Sequence, residues 1–220
     1  NRIPKIWLHN MGGLKHISTY EEKKISKLLT AKRAKVFLES RAFMRQCLSH
    51  LFNINPLEIP LKAYPGEIPK IPEGMGNISI SHTKNILILI WHEEKIGIDI
   101  EESKRKFNYQ GIAKKYFQNT KGMKSTKKIN QKDILNYWSA IEAAIKCDGG
   151  KLSQDLKHWK LIKGKNKDKI YHANKELKLQ LNQFEYKQWI ISITNKKRFF
   201  SNDDLIICEN FNDFGSFKCC

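Results

Sequence analysis

The chain has 220 residues, a net charge of +18, and 40% hydrophobic residues. That length can bury a proper core, as one large domain or two small ones, and no apolar run approaches the ~20 residues of a membrane span. The charge marks a protein that attracts polyanions: nucleic acid, a phosphate-rich small molecule or an acidic protein partner. Part of it is also what lysine-rich compositional drift produces. The five cysteines, Cys47, Cys147, Cys208, Cys219 and Cys220, show no paired CxxC spacing. Reduced thiols are therefore expected rather than a zinc site or a disulfide frame. The opening "NRIPKIWLHNMGG" lacks the long apolar segment of a secretory signal, so a cytoplasmic location is the expectation.

Residues 19–52 read as helix. Ser18 or Thr19 serves as cap, Glu21 and Glu22 fall in the first turn, and Val36, Phe37, Phe43, Met44, Cys47, Leu48 and Leu51 lie near one stripe. Residues 53–76 carry five of the six prolines and three glycines, a loop-rich connector. "NISIS", "ILILIW" and "KIGIDIE" follow, joined by short turns, and predict an antiparallel meander. In the third of these, Ile96, Ile98 and Ile100 alternate with Gly97, Asp99 and Glu101, the period of a strand with one buried face. Asp99 and Glu101 then share a face one pleat step apart. Two like charges so placed are either a solvated face or a site for a hard cation such as Mg²⁺.

Residues 107–120 predict a helix, and 121–132, "KGMKSTKKINQK", a basic loop. A clear helix spans 133–147, with Asp133 as N-cap and "DGG" as the stop. Ile134, Trp138, Ile141 and Ile145 form its buried stripe. Glu142 and Lys146 stand at i and i+4, which alone reads as a surface ion pair worth about 0.2–0.5 kcal/mol. The remainder is mainly β, in "HWKLIK", "KIYHA", "LKLQLNQF" and "QWIISIT". The last 20 residues carry no assignable element.

The combination outweighs each part. A strand offers two carboxylates, a helix about forty residues on offers a third with a lysine one turn later, and Ser81 and His82 stand at the end of an earlier strand. Together they describe a metal flanked by cationic donors, which suits a pyrophosphate substrate. The pattern resembles the 4′-phosphopantetheinyl transferases of the Sfp (surfactin-synthetase-activating) type. That family's (I/V)G(I/V)D(I/V)E strand is here "IGIDIE" (96–101), its W-S-x-K-E-A-x-x-K helix is "WSAIEAAIK" (138–146), and its "NISHS" segment is "SISHT" (79–83). "RAFMR" (41–45) on a basic helix also looks similar, and the resemblance spans roughly residues 20–195.

The resemblance implies an α+β fold of two pseudo-symmetric α/β halves, residues 1–95 and 96–220, with the active site in the cleft between them. It implies a monomer that moves the 4′-phosphopantetheine arm of coenzyme A to a serine of an acyl or peptidyl carrier protein and releases 3′,5′-ADP. Asp99, Glu101 and Glu142 would hold Mg²⁺, with Mn²⁺ as a substitute. Glu142 and Lys146 would be catalytic. Ser81, His82, Lys146, Lys32, Arg33 and Lys35 would bind coenzyme A. The partner would be an acidic carrier protein, met by the basic surface, with no role for a membrane or nucleic acid. Three positions depart from the family pattern: Ile141 stands where a lysine precedes the helical glutamate, Glu67 stands at the lysine of "GKP", and Lys121 is nearest to an acidic position. The rival class is a nucleic-acid-binding protein, with a metal-dependent nuclease as the variant that also accounts for the carboxylates, supported by the charge, the 121–132 loop, and Trp159 and Trp189 read as exposed aromatics.

Overall fold

The computed structural model describes residues 3–12, 14, 17–116, 130–165 and 167–209. Its elements in chain order are β1 (Lys5–Asn10), α1 (Tyr20–Ser26), α2 (Ala31–Phe52), β2 (Asn77–Thr83), β3 (Ile86–His92), β4 (Ile96–Glu102), α3 (Tyr109–Tyr116), α4 (Gln131–Asp148), α5 (Leu152–Asp155), β5 (Trp159–Ile162), β6 (Asp168–His172), β7 (Leu177–Tyr186), β8 (Trp189–Asn195) and β9 (Ile207–Cys208). The class is α+β, as expected. No helix among the described residues is long and apolar enough to cross a membrane.

The N-terminal helix is two helices, not one. Thr19 caps α1 in a capping box, accepting from the Glu22 N–H at 3.2 Å while Glu22 Oε2 accepts from the Thr19 N–H at 2.8 Å. The Ser26 hydroxyl then donates to the Lys23 carbonyl, and the extended Thr30 (φ −61°, ψ 151°) starts α2. Leu28 sits between them with 83% of its surface exposed, so the apolar pair Leu28–Leu29 does not continue the stripe. Arg45 on α2 reaches back to Glu22 at 3.0 Å and donates to the Pro56 and Ile59 carbonyls. One buried guanidinium thereby fastens α1, α2 and the proline-rich connector together.

The described strands form a four-stranded sheet, β2-β3-β1-β9, and a five-stranded sheet, β4-β8-β7-β6-β5. β1 had no expectation attached to it. It pairs antiparallel with β3 and parallel with β9, and its Ile6, Trp7, Leu8 and His9 are all buried. With both faces covered, the period-two signal is lost. The expected meander breaks after β3. β4 is not bonded to β3 but pairs antiparallel with β8, with Asp99 opposite Ser192.

Three buried clusters hold the layers together. Phe43, Met44, Cys47 and Leu48 of α2 pack on Trp7, Leu87, Leu89 and Trp91 of the first sheet. Ile6, Leu8, Ile88 and Ile90 from that sheet's other face pack on Ile96, Ile98, Ile100, Ile191 and Ile193 of the second. Ile134, Ile141 and Ile145 of α4 pack on Ile170, Leu179 and Leu181 of the second sheet. Trp159 and Trp189, read as exposed, are 2% and 6% exposed and belong to these cores. That removes the aromatic support for nucleic-acid binding. Cys47 and Cys147 are buried and Cys208 is half-buried, and none of the three is in a disulfide among the described residues; Cys219 and Cys220 lie outside the described residues.

One contact sets the distance between α4 and β4. A Cβ on Gly97 would lie 1.9 Å from the Ala143 carbonyl oxygen and 2.6 Å from the Cys147 nitrogen. Both obstacles are helix backbone and cannot yield as a side chain would. Gly97→Ala therefore forces the helix off the strand, and an equilibrium urea titration should show a loss of about 1–3 kcal/mol or more, the cost of overpacking. Ile98→Val, one residue along and facing the other way, should cost about 0.5–1.5 kcal/mol. An equal or smaller loss for Gly97→Ala would mean that the close approach is not rigid.

Candidate active site

β4 is buried on both faces. Asp99 is 2% exposed and Glu101 5%, so the solvated-face reading of "IGIDIEE" is wrong. The isoleucines face the first sheet, while Gly97, Asp99 and Glu101 face the side that α4 covers. α4 begins at Asn130, whose side chain accepts from the Asp133 N–H at 2.8 Å. The cap is thus Asn130 rather than Asp133, because the extended backbone comes three residues earlier (φ −95°, ψ 165°). The helix ends, as expected, at Gly149 in the left-handed conformation (φ 85°). Between these ends the helix presents Glu142 and Lys146 to β4. Their side chains are only 20% and 23% exposed, which rules out a simple surface pair.

Lys146 is the hub. Its Nζ donates to Asp99 Oδ1 at 2.7 Å and to Ser81 Oγ at 2.8 Å, and lies 3.8 Å from Glu142 Oε2. Ser81 Oγ donates in turn to Asp99 Oδ1 at 2.7 Å. Asp99 Oδ2 is buried with no hydrogen-bond partner among the described residues. Glu101 is held by Arg105 Nη1 at 2.7 Å. Among the described residues, no three His, Cys, Asp or Glu side chains are gathered as a ready ligand set. An ammonium stands at Asp99, and Glu101 is engaged elsewhere. The chemistry of the donors nonetheless suits a hard divalent cation: carboxylate oxygens only, one of them buried and unpaired. Burial first, and then the Asp99 charge, push the carboxyl of Glu101 above its ordinary range. The same two causes push Glu142 up to about 7, against a downward pull from Lys146. The pocket is short of positive charge even with Lys146 in it.

β2 runs beside the open edge of β4 and adds hydroxyls to it. Ser79 Oγ accepts from the Ile98 N–H at 3.1 Å, and Ser81 reaches Asp99. On the other side of Asp99 a polar row continues across the sheet. Ser192 is its partner on β8 and Gln183 is the partner of Ser192 on β7. Ser139 of α4 bonds Ser192 at 2.9 Å, and Gln183 Nε2 donates to Ser192 Oγ at 2.8 Å and to the Asn136 carbonyl at 2.7 Å. These bonds fix how far α4 slides along the sheet. Neither Ser192 nor Gln183 belongs to a motif, and only the strand register places them here.

Two cavities flank the hub. The smaller, about 730 Å³, is lined by Lys32, Arg33, Phe37, Arg41, Tyr64, Ser81 and His82, among others. Lys35 is exposed on the same helix and is not part of that lining. Arg41 was not anticipated as a site residue, although it opens the "RAFMR" stretch. Its guanidinium stacks on the Phe37 ring at 4.0 Å, donates to the Ala63 carbonyl, and is lowered to about 10 by burial. Exposed at the mouth, His82 is held below its ordinary value, first by desolvation and then by the Lys146 charge, against Asp99. The larger cavity, about 870 Å³, is lined by the segment 66–78, Trp91, Lys95, Lys146 and residues 147–151. Glu67 touches both cavities, and Lys70 touches only the larger. The Lys146–Ser81 bond thus lies where the two meet. Ile141, at the family's lysine position, is fully buried beside Tyr137, Trp159 and Ile170. Lys121 and the rest of the basic loop up to 129, with Lys124, Lys127 and Lys128, lie outside the described residues.

The Glu142 shift has a measurable sign. The carboxyl keeps its proton up to about 7 in the fold, against an ordinary 4.5. Between those values the folded protein binds a proton that the unfolded chain has released. This contribution to stability is present below the ordinary value and is lost as pH rises through about 7. Metal-free protein should therefore lose melting temperature between about pH 5 and about pH 8, and Glu142→Gln should lose less. Taking the difference between the two proteins cancels the opposing contribution of His82. Parallel profiles would show that Glu142 titrates normally.

A comparison with curated proteins finds no match. A comparison with protein-family models matches residues 95–211 to the 4′-phosphopantetheinyl transferase superfamily. The matched stretch is more than half of the chain and contains β4, α4 and the whole second sheet; Lys32, Arg33, Lys35, Ser81 and His82 lie before it. With the buried carboxylates and Lys146 inside the matched region, the chain belongs to the 4′-phosphopantetheinyl transferase superfamily.

Proposed function

We propose that the chain transfers 4′-phosphopantetheine from coenzyme A to a serine of an acyl or peptidyl carrier protein, as a cytoplasmic monomer of the surfactin-synthetase-activating type. The observation that carries this reading is the meeting of Asp99, Glu142 and Lys146, drawn from a strand and a helix, in a chain of that superfamily. Residues 1–95 supply Ser81, His82 and the basic helix; residues 96–220 supply the carboxylates and Lys146. On this reading the two stretches form related halves on either side of the cleft, although β9 of the second stretch joins the first sheet.

The carrier serine Oγ attacks the β-phosphorus of coenzyme A. A new O–P bond forms, the P–O bond to the ADP portion breaks, and 3′,5′-ADP leaves with the electron pair. Glu142 takes the serine proton as the general base. Asp99, Glu101 and Glu142 would hold Mg²⁺ or Mn²⁺, which would neutralise charge on the pyrophosphate. Lys146 and His82 face the leaving phosphate and oppose its growing charge, and Ser81 offers it a hydroxyl. Lys32 and Arg33, joined by Arg41, hold the 3′-phosphate in the smaller cavity. Lys35 adds only long-range attraction. Ile141 leaves the helix one charge poorer than the family pattern.

Mass spectrometry of an acyl carrier protein incubated with the chain, coenzyme A and Mg²⁺ should show the mass of the phosphopantetheine adduct. Glu142→Gln should slow its appearance about 10²–10⁴-fold, the usual contribution of a general base. Asp99→Ala should abolish it while circular dichroism stays unchanged. No adduct on any carrier, or full activity in Asp99→Ala, ends this reading. The net charge of +18 suits an acidic carrier. kcat/KM for the carrier should then fall steeply as the Debye length shrinks from about 10 Å at 0.1 M to about 3 Å at 1 M salt. KM for coenzyme A should change less. A flat response for the carrier would make the docking apolar and the basic charge compositional.

A further inference from the structure

Asp99 is a carboxylate in a place that does not tolerate a free charge. It is 2% exposed, and an unpaired buried charge costs several kcal/mol. The compensation comes from one side chain on another element: the Lys146 ammonium, 2.7 Å from Oδ1, within 2.8 Å of Ser81 Oγ and 3.8 Å from Glu142 Oε2. Oδ1 accepts two donors, while Oδ2 of the same group accepts none among the described residues. The positive charge therefore already stands among the carboxylates, on one oxygen of the group best placed to ligate an ion. Lys146 is also a wall of the larger cavity and keeps 23% of its side chain exposed. Four rotatable bonds can carry its ammonium into that space without moving α4.

We infer that Lys146 is the resident cation of the carboxylate pocket: it is the counter-ion of Asp99 while no divalent ion is bound, it competes with that ion for Asp99, and it is released onto the pyrophosphate of coenzyme A. This rests on the reading of the carboxylates as the Mg²⁺ site and of coenzyme A as the substrate. The physical content is a swap of one counter-ion for another. In the empty protein, an incoming cation must push a positive charge off Asp99, and the other carboxylates that the ammonium feels, Glu142 and Glu101, are wanted by the same cation. With coenzyme A present, the phosphates receive the displaced ammonium. Metal and coenzyme A then raise each other's affinity through a single side chain, and the effect is reciprocal by linkage. Ser81 takes part as the donor that stays on Oδ1 after Lys146 has gone.

The test is calorimetric titration of Mn²⁺ into metal-free wild type, Lys146→Met and Lys146→Arg, first without coenzyme A and then with it, with no carrier present so that nothing turns over. Without coenzyme A, Lys146→Met should bind Mn²⁺ about tenfold tighter than wild type or better, a difference of about 1.4 kcal/mol. Lys146→Arg, which keeps the charge, should stay near wild type. The gain in Mn²⁺ affinity on adding coenzyme A should be larger in wild type than in Lys146→Met. Metal-free Lys146→Met should melt below wild type and recover with Mn²⁺, which separates a lost counter-ion from a damaged fold. If Lys146→Met shows no gain over wild type without coenzyme A, the inference falls while the metal site stands. If none of the three proteins binds Mn²⁺ even with coenzyme A, the carboxylates are not a cation site and the functional reading falls with it.

Discussion

Everything at the site depends on how close a helix backbone comes to a strand backbone. At Gly97 the space that a side chain would fill is taken by the Ala143 carbonyl and the Cys147 amide. That contact puts α4 close enough for Glu142 and Lys146, one helical turn apart, to straddle Asp99, two residues further along β4. The rest of the second sheet supports this spacing. Ile134, Ile141 and Ile145 seat the helix on β6 and β7, and the row Ser139, Ser192 and Gln183 stops it from sliding. An apolar interface alone would leave the axial position soft, since Ile and Leu contacts are not directional. Hydrogen bonds to a helix carbonyl and a buried serine are directional.

The electrostatics follow from the same geometry. Asp99 and Glu101 lie under a helix that itself carries Glu142 and Lys146, with Arg105 bonded to Glu101 and two hydroxyls, Ser79 and Ser81, reaching in from the neighbouring sheet. Such a pocket is costly to fold, because each buried charge must find its partner. The arrangement spreads the cost. Glu101 has Arg105, Asp99 has Lys146 and Ser81, and Glu142 is pushed towards its neutral form. Charged groups spaced this unevenly are typical of sites that do chemistry rather than of sites that only hold a fold together.

What could be read in the sequence was whatever repeats along one element. β2, β3, β4 and the strands from β5 to β8 showed themselves by apolar patterning, and α4 by its stripe and stop. β1 did not, because both of its faces are covered and no polar residue breaks the run at the right period. The split between α1 and α2 was hidden because Leu28 looks apolar but points to water. The pairing of β4 with β8 was hidden because adjacency in sequence favours β3. Within the site, Asp99, Glu101, Glu142 and Lys146 stood out because they fall in spaced motifs. Arg41, Arg105, Ser192 and Gln183 are isolated residues whose relevance comes only from where the fold puts them. The bond from Lys146 to Asp99 was out of reach for the same reason: the i, i+4 spacing pointed to Glu142, and the stronger partner is forty-seven residues away.

β4 is the edge strand of the second sheet, and its sequence, isoleucine at every second position, is of the kind that recruits further strands. β5 at the opposite edge carries exposed Lys160 and is followed by Lys163, a usual deterrent. β4 cannot carry that deterrent, because its polar positions are spoken for by the site. Its protection is the serine-bearing strand β2 laid alongside, with Ser79 taking up the amide of Ile98. The strand that brings Ser81 to Asp99 and Lys146 therefore also acts as a guard against self-association. Loosening of β2 would expose a template for aggregation at the same moment that it broke the contacts of Ser81 with Asp99 and Lys146.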